Sequence, residues 1–112
     1  MNRAFVSMLA GLALSAAYAQ PVDSLIQRGI NLSTEGRFRE AINLLLSARA
    51  DTGSAASRFQ LGICYANIND YSQARRLLRE AIALDSTNMN YRFQYARTLT
   101  QFGSLQEAES EY

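Results

Sequence analysis

A chain of 112 residues with a formal charge of +1 is long enough for one small domain and lacks the cationic excess that a nucleic-acid footprint needs. Its 48% hydrophobic and 19% charged residues give a globular balance rather than a disordered one. The absence of His and the single Cys exclude the commonest general base, Ser-His relays, internal disulfides and Cys-rich zinc sites. All eleven cationic side chains are Arg.

The chain opens on an address. Met1-Asn2-Arg3 is a short basic start, and Ala4 to Ala17 is charge-free and mostly apolar. Ala17-Tyr18-Ala19 then sets small residues at the two positions a signal peptidase reads, which would leave Gln20 as the new N-terminus. The apolar run is shorter than the roughly 20 residues that cross a bilayer, so a cleaved secretory signal over 1–19 is expected rather than an anchor. No second apolar stretch of spanning length follows. Loss of Arg3 leaves ten Arg against ten acidic residues, so the exported segment 20–112 is formally neutral.

From Val22 the pattern is helical and it recurs. Three units span 22–54, 55–88 and 89–112, at offsets of 33 and 34 residues. Gly29, Gly62 and Ala96 align, as do Leu32, Tyr65 and Leu99. Gly36, Asn69 and Gly103 align, followed by Phe38, Tyr71 and Leu105. Ala41, Ala74 and Ala108, then Leu45, Leu78 and Tyr112, and finally Ala48 and Ala81 complete the columns.

Each column has a physical reading. Small residues at Gly62, Ala74 and Ala81 let helices approach closely, while Tyr65, Tyr71 and Leu78 fill the space between them. Gly36, Asn69 and Gly103 are residue types that accept a left-handed conformation, so they predict the end of each unit's first helix. Asp70 with Gln73, and Ser104 with Glu107, read as capping boxes that open each second helix. Each unit is therefore expected to be a helix, a tight turn and a helix.

This period and layout resemble the tetratricopeptide repeat. The second unit carries the likeness best, in Phe59-Gln60-Leu61-Gly62-Ile63-Cys64-Tyr65, Asn69-Asp70-Tyr71-Ser72-Gln73-Ala74, Leu78 and Ala81-Ile82-Ala83-Leu84-Asp85. Ser86 stands where the family usually has Pro, Arg28 stands where the second unit has Leu61, and Leu25, Arg58 and Arg92 replace a frequent early Trp. The resemblance implies an all-α, right-handed α-solenoid of antiparallel helix pairs, about two and a half repeats long. Tyr112 lies within the expected second helix of the third unit, so a fragment of a longer chain is expected.

The resemblance also implies where a partner sits. First helices of successive repeats line a concave groove, which here assigns Ile26, Ile30, Phe59, Ile63, Asn67, Phe93, Arg97 and Gln101. Gln60 and Gln94 add further amides. The groove is expected to be largely apolar with one cation, suited to an apolar or helical peptide segment of a protein partner. One branch of the family grips a C-terminal carboxylate, but the corresponding Ile26, Ile30, Gln60, Asn90 and Gln94 include no basic residue, which disfavours that mode.

Other features have plainer explanations. Arg75, Arg76 and Arg79 read as a solvated helix face that pairs with Glu80 and its neighbours, with a basic patch for an anionic polymer as the alternative. Cys64, with no His to activate it, is core filler. Alternation spreads Glu107, Glu109 and Glu111 over different helix faces, which disfavours a metal cluster. Asn31-Leu32-Ser33 fits a glycosylation acceptor by chance, within a helix. Neither an enzyme activity nor a cofactor is expected. The leading expectation is an exported interaction scaffold, periplasmic or extracellular, that helps organise envelope, secretion or polymer-export machinery. A docking arm for an active domain beyond Tyr112, or an inert spacer, are the alternatives.

Overall fold

The computed structural model describes residues 22–110, with side chains from Val22 to Ser104. The expected signal segment, 1–19, lies outside the described residues. Among the described residues, five helices follow one another: α1 (Val22–Thr34), α2 (Phe38–Ser47), α3 (Ala55–Asn67), α4 (Tyr71–Leu84) and α5 (Met89–Ser110). A short 3₁₀ turn, Ala50–Thr52, separates α2 from α3. No strand occurs among the described residues, and none of their helices is long and apolar enough to cross a membrane.

The first two units form helix hairpins, α1 with α2 and α3 with α4, closed by the same turn. Gly36 (φ 80) and Asn69 (φ 65) take the left-handed conformation one unit apart. In each turn the next residue's N–H reaches back across the helix end: Arg37 donates to the Leu32 carbonyl and Asp70 to the Tyr65 carbonyl, both at 2.9 Å. The turn residue itself donates to the carbonyl three back, Ser33 at 3.0 Å and Ala66 at 3.1 Å. Helix-end carbonyls are thus satisfied while the chain reverses.

Capping follows the sequence only in part. The Gln73 N–H donates to Asp70 Oδ1 at 3.3 Å, as expected at the start of α4. The reciprocal half of the box is missing, because Gln73 Oε1 accepts from the Arg76 guanidinium and the Asp70 N–H is committed to the turn. Ser54 and Asn88 cap α3 and α5 by accepting the Ser57 and Tyr91 N–H groups, both at 3.2 Å.

Packing repeats as well. A Cβ on Gly29 would lie 2.7 Å from the Leu45 side chain, and one on Gly62 would lie 3.1 Å from Leu78. Leu45 and Leu78 are fully buried, so each hairpin closes by seating a Leu of its second helix on a Gly of its first. Two apolar clusters result. Ala41, Ile42, Leu45, Ala50, Leu61, Cys64 and Leu77 join the first unit to the second. Phe59, Leu78, Ala81 and Tyr91 join the second to α5.

The third unit departs from its expected form. α5 runs without interruption from Met89 to Ser110, through Gly103, so there is no turn at Gly103 and no second helix opened by Ser104 and Glu107. A Gly inside a helix costs about 1 kcal/mol relative to Ala, a small penalty beside the hydrogen bonds that continuing the helix preserves. Gly103 permits a reversal but does not impose one.

Candidate functional site

One helical face of α3 and one of α5 converge on a concavity of about 300 Å³. Phe59, Gln60, Ile63, Ala66 and Asn67 line it from α3; Asn90, Gln94, Arg97, Thr98 and Gln101 line it from α5. Both sets recur at intervals of three and four residues, so each helix contributes a single stripe. The structure therefore brings together five of the expected residues: Phe59, Ile63, Asn67, Arg97 and Gln101.

The other three lie elsewhere. Ile26 and Ile30 are half-buried on α1, with Ile26 packed against the first apolar cluster. Phe93 does not line the concavity and is 63% exposed. Its position on α5 is rotated away from the Asn90–Gln94–Gln101 line, which leaves it at the outer edge next to Arg97.

Two expectations about character also change. Phe59 is not a free aromatic anchor. It is buried and stacked on Tyr91, with ring centroids 4.5 Å apart, and forms part of the floor. The lining is polar rather than largely apolar, because five amide side chains (Gln60, Asn67, Asn90, Gln94 and Gln101) line it together with Arg97. Asn67 already donates to the Ile63 carbonyl at 2.9 Å, which orients its amide and leaves its oxygen as an acceptor. Thr98 and Ala66 escaped the sequence reading, although both fall on the same helical stripes.

A second and larger concavity, about 640 Å³, lies between α4 and α5. Its lining includes Tyr71, Ser72, Arg75, Arg79 and Ala83 of α4, and Thr98, Leu99 and Phe102 of α5. The Arg cluster behaves as expected at Arg76, which pairs with Glu80 at 3.0 Å; Glu80 also receives Arg58 of α3 at 3.2 Å. Arg75 and Arg79 make no ion pair among the described residues.

Neither concavity contains a nucleophile held beside a base. Cys64 is fully buried, and burial pushes its thiol up to about 11, against a smaller opposing effect from a Ser33 hydrogen bond. Such a thiol stays protonated near neutral pH and packs as a small apolar group. Among the described residues, no three His, Cys, Asp or Glu side chains gather closely enough to hold a metal ion.

Residues 34–112 match the family described as anaphase-promoting complex, cyclosome, subunit 3. That stretch covers the α1–α2 turn and everything after it, including both left-handed turns and both concavities. The chain belongs to this family of tetratricopeptide-type repeats, modules that bind other proteins.

Proposed function

We propose that the chain is an exported scaffold that holds an extended peptide segment of a protein partner in the concavity between α3 and α5. The observation that supports this reading most is that amides from two helices and Arg97 line one concavity. An extended peptide presents unpaired N–H and C=O groups, and Gln and Asn side chains can donate to one and accept from the other. Arg97 adds a charge-assisted contact to an acidic side chain or carboxylate of the partner. Phe59 and Ile63 supply an apolar floor.

Export rests on the leader pattern of Met1 to Ala19, and an envelope or extracellular setting follows from it. The role proposed there is to help organise envelope, secretion or polymer-export machinery.

Selection of binders from a random peptide library tests the groove. Arg97→Ala should weaken the selected peptides by about 2 kcal/mol and reduce the salt dependence of binding. Gln94→Ala should weaken them whatever the salt. Arg76→Ala, on the other face, should leave affinity unchanged. Selected peptides that bind Arg97→Ala and Gln94→Ala as well as the parent, but lose affinity with Arg76→Ala, would refute the site. Intact mass of the protein recovered from producing cells tests export, and a retained Met1–Ala19 segment would refute cleavage after Ala19.

A further inference from the structure

Charge is unevenly placed on this chain. Its formal total is only +1, yet four of its Arg gather on one groove. The concavity between α4 and α5 continues past Ala83 into a further one of about 450 Å³, lined by Arg79, Ile82, Ala83, Arg92 and Tyr95, so that Arg79 and Ala83 belong to both. The groove thus follows α4 from Tyr71 to Ala83, a length of about 18 Å at 1.5 Å per residue. Its floor is apolar and open: the Tyr71 and Phe102 rings meet at 5.6 Å at one end, Ile82 and Tyr95 line the other, and Leu99 between them is 37% exposed. Against the single carboxylate of Glu80 the lining sets Arg75, Arg76, Arg79 and Arg92. Glu80 is already shared by Arg76 and Arg58, and Arg92 donates to the Ser86 carbonyl at 2.9 and 3.0 Å. Arg75 and Arg79, one turn apart on α4, make no ion pair among the described residues.

We propose that the groove between α4 and α5 is a second docking site, and that its occupant is an acidic amphipathic helix of a protein partner. An apolar floor bordered by two guanidinium groups one turn apart is complemented by an apolar stripe bordered by carboxylates one turn apart, which is one face of such a helix. About 18 Å of groove seats roughly three turns. The floor favours a helix over an extended peptide, because an extended peptide brings unpaired N–H and C=O groups to apolar side chains, whereas a helix has satisfied its own. It also favours a helix over a single acyl chain, which would stay half-wetted along an open groove that a helix face covers. The site is separate from the concavity between α3 and α5, and it stands or falls independently of peptide binding there.

Selection on the full chain from a library of short, lactam-bridged helical peptides with one varied face tests this. The binders should carry an apolar stripe bordered by Glu or Asp one turn apart. Arg75→Glu combined with Arg79→Glu should weaken them by about tenfold or more, and exchanging the peptide's two carboxylates for Arg should restore affinity for that variant. Leu99→Ser should weaken the same peptides at low and high salt alike, whereas the charge reversal should matter less as salt rises. Arg97→Ala, in the other concavity, should leave them unchanged. Circular dichroism confirms that each variant remains helical. A library that yields no binder, or binders indifferent to both the charge reversal and Leu99→Ser, would overturn the proposal. Phosphatidylglycerol vesicles that bind the parent but not the charge-reversed variant, in the absence of any peptide binder, would overturn it in favour of an anionic lipid surface. A dimer in sedimentation that Leu99→Ser dissociates would overturn it in favour of a second copy of the chain.

Discussion

Gly29→Ala tests the hairpin closure most directly, because two opposing effects of known size meet at one carbon. Alanine inside a helix is favoured over glycine by about 1 kcal/mol. The new Cβ, however, would lie 2.7 Å from both Cγ and Cδ2 of Leu45. Leu45 is fully buried, so its tip has no empty space to swing into. Overpacking of this kind costs about 1–3 kcal/mol. The difference is a net loss of about 0–2 kcal/mol, or up to roughly 10 °C in Tm for a domain of this size. Urea unfolding followed by circular dichroism measures it. Gly103→Ala is the contrasting control: a Cβ there meets nothing within 4 Å, so the helix preference should appear undiminished as greater helix content. In a Leu45→Met background the Gly29→Ala penalty should shrink, since an unbranched side chain can yield. Gly29→Ala unfolding at higher urea than the parent, with no coupling to Leu45→Met, would refute the reasoning.

Ala74 is fully buried, and Ala74→Leu should cost about 1–3 kcal/mol in the same urea experiment; a neutral result would place Ala74 away from a tight crossing. Phe59→Ala should cost about 3–5 kcal/mol by emptying the stack on Tyr91, whereas Phe93→Ala should stay within about 0.5 kcal/mol, and equal effects on unfolding would contradict the assigned burial. The folded thiol of Cys64 is raised from 9.0 to about 11, so the unfolded chain releases its proton first as pH rises. The associated stability is fully present below pH 9 and is lost through pH 11, so the parent should lose stability more steeply than Cys64→Ala over that window. Burial raises Tyr65 and Tyr91 in both proteins alike, so the difference between the two slopes isolates the thiol, and identical slopes would show that it does not titrate with unfolding.

The helix hairpins were legible because their determinants are local or strictly periodic. A left-handed residue announces itself by type, and Gly36 and Asn69 both reverse the chain. The spacing from Gly29 to Leu45 and from Gly62 to Leu78 is the same sixteen residues, so one contact predicts the other. The 3₁₀ turn after α2 was not legible. It depends on Arg49, a residue with no special left-handed preference, and on Ala50 being drawn into the core. The straight α5 was missed for a related reason. Gly103 makes a reversal possible, and only the burial gained by the returning segment decides whether it occurs, a tertiary quantity that residue type does not encode.

The site divides along the same line. The resemblance assigned Ile63, Asn67, Arg97 and Gln101 to one groove, and the four do line one concavity, two from α3 and two from α5, as stripes of 3.6 residues per turn allow. Phe59 and Phe93 hold equivalent positions, 34 residues apart, yet one is 7% exposed and the other 63%. What separates them is Tyr91, which stacks on Phe59 from the following unit. Aromatic type therefore could not reveal which ring serves the fold and which faces solvent; that depends on what the next helix supplies. The same stacking explains the polarity of the concavity. With Phe59 held in the joint by its stack on Tyr91, the polar share of the lining comes from Gln60, Asn67, Asn90, Gln94, Arg97 and Gln101, so the peptide binding proposed there would draw on hydrogen bonds and charge as well as on the apolar floor.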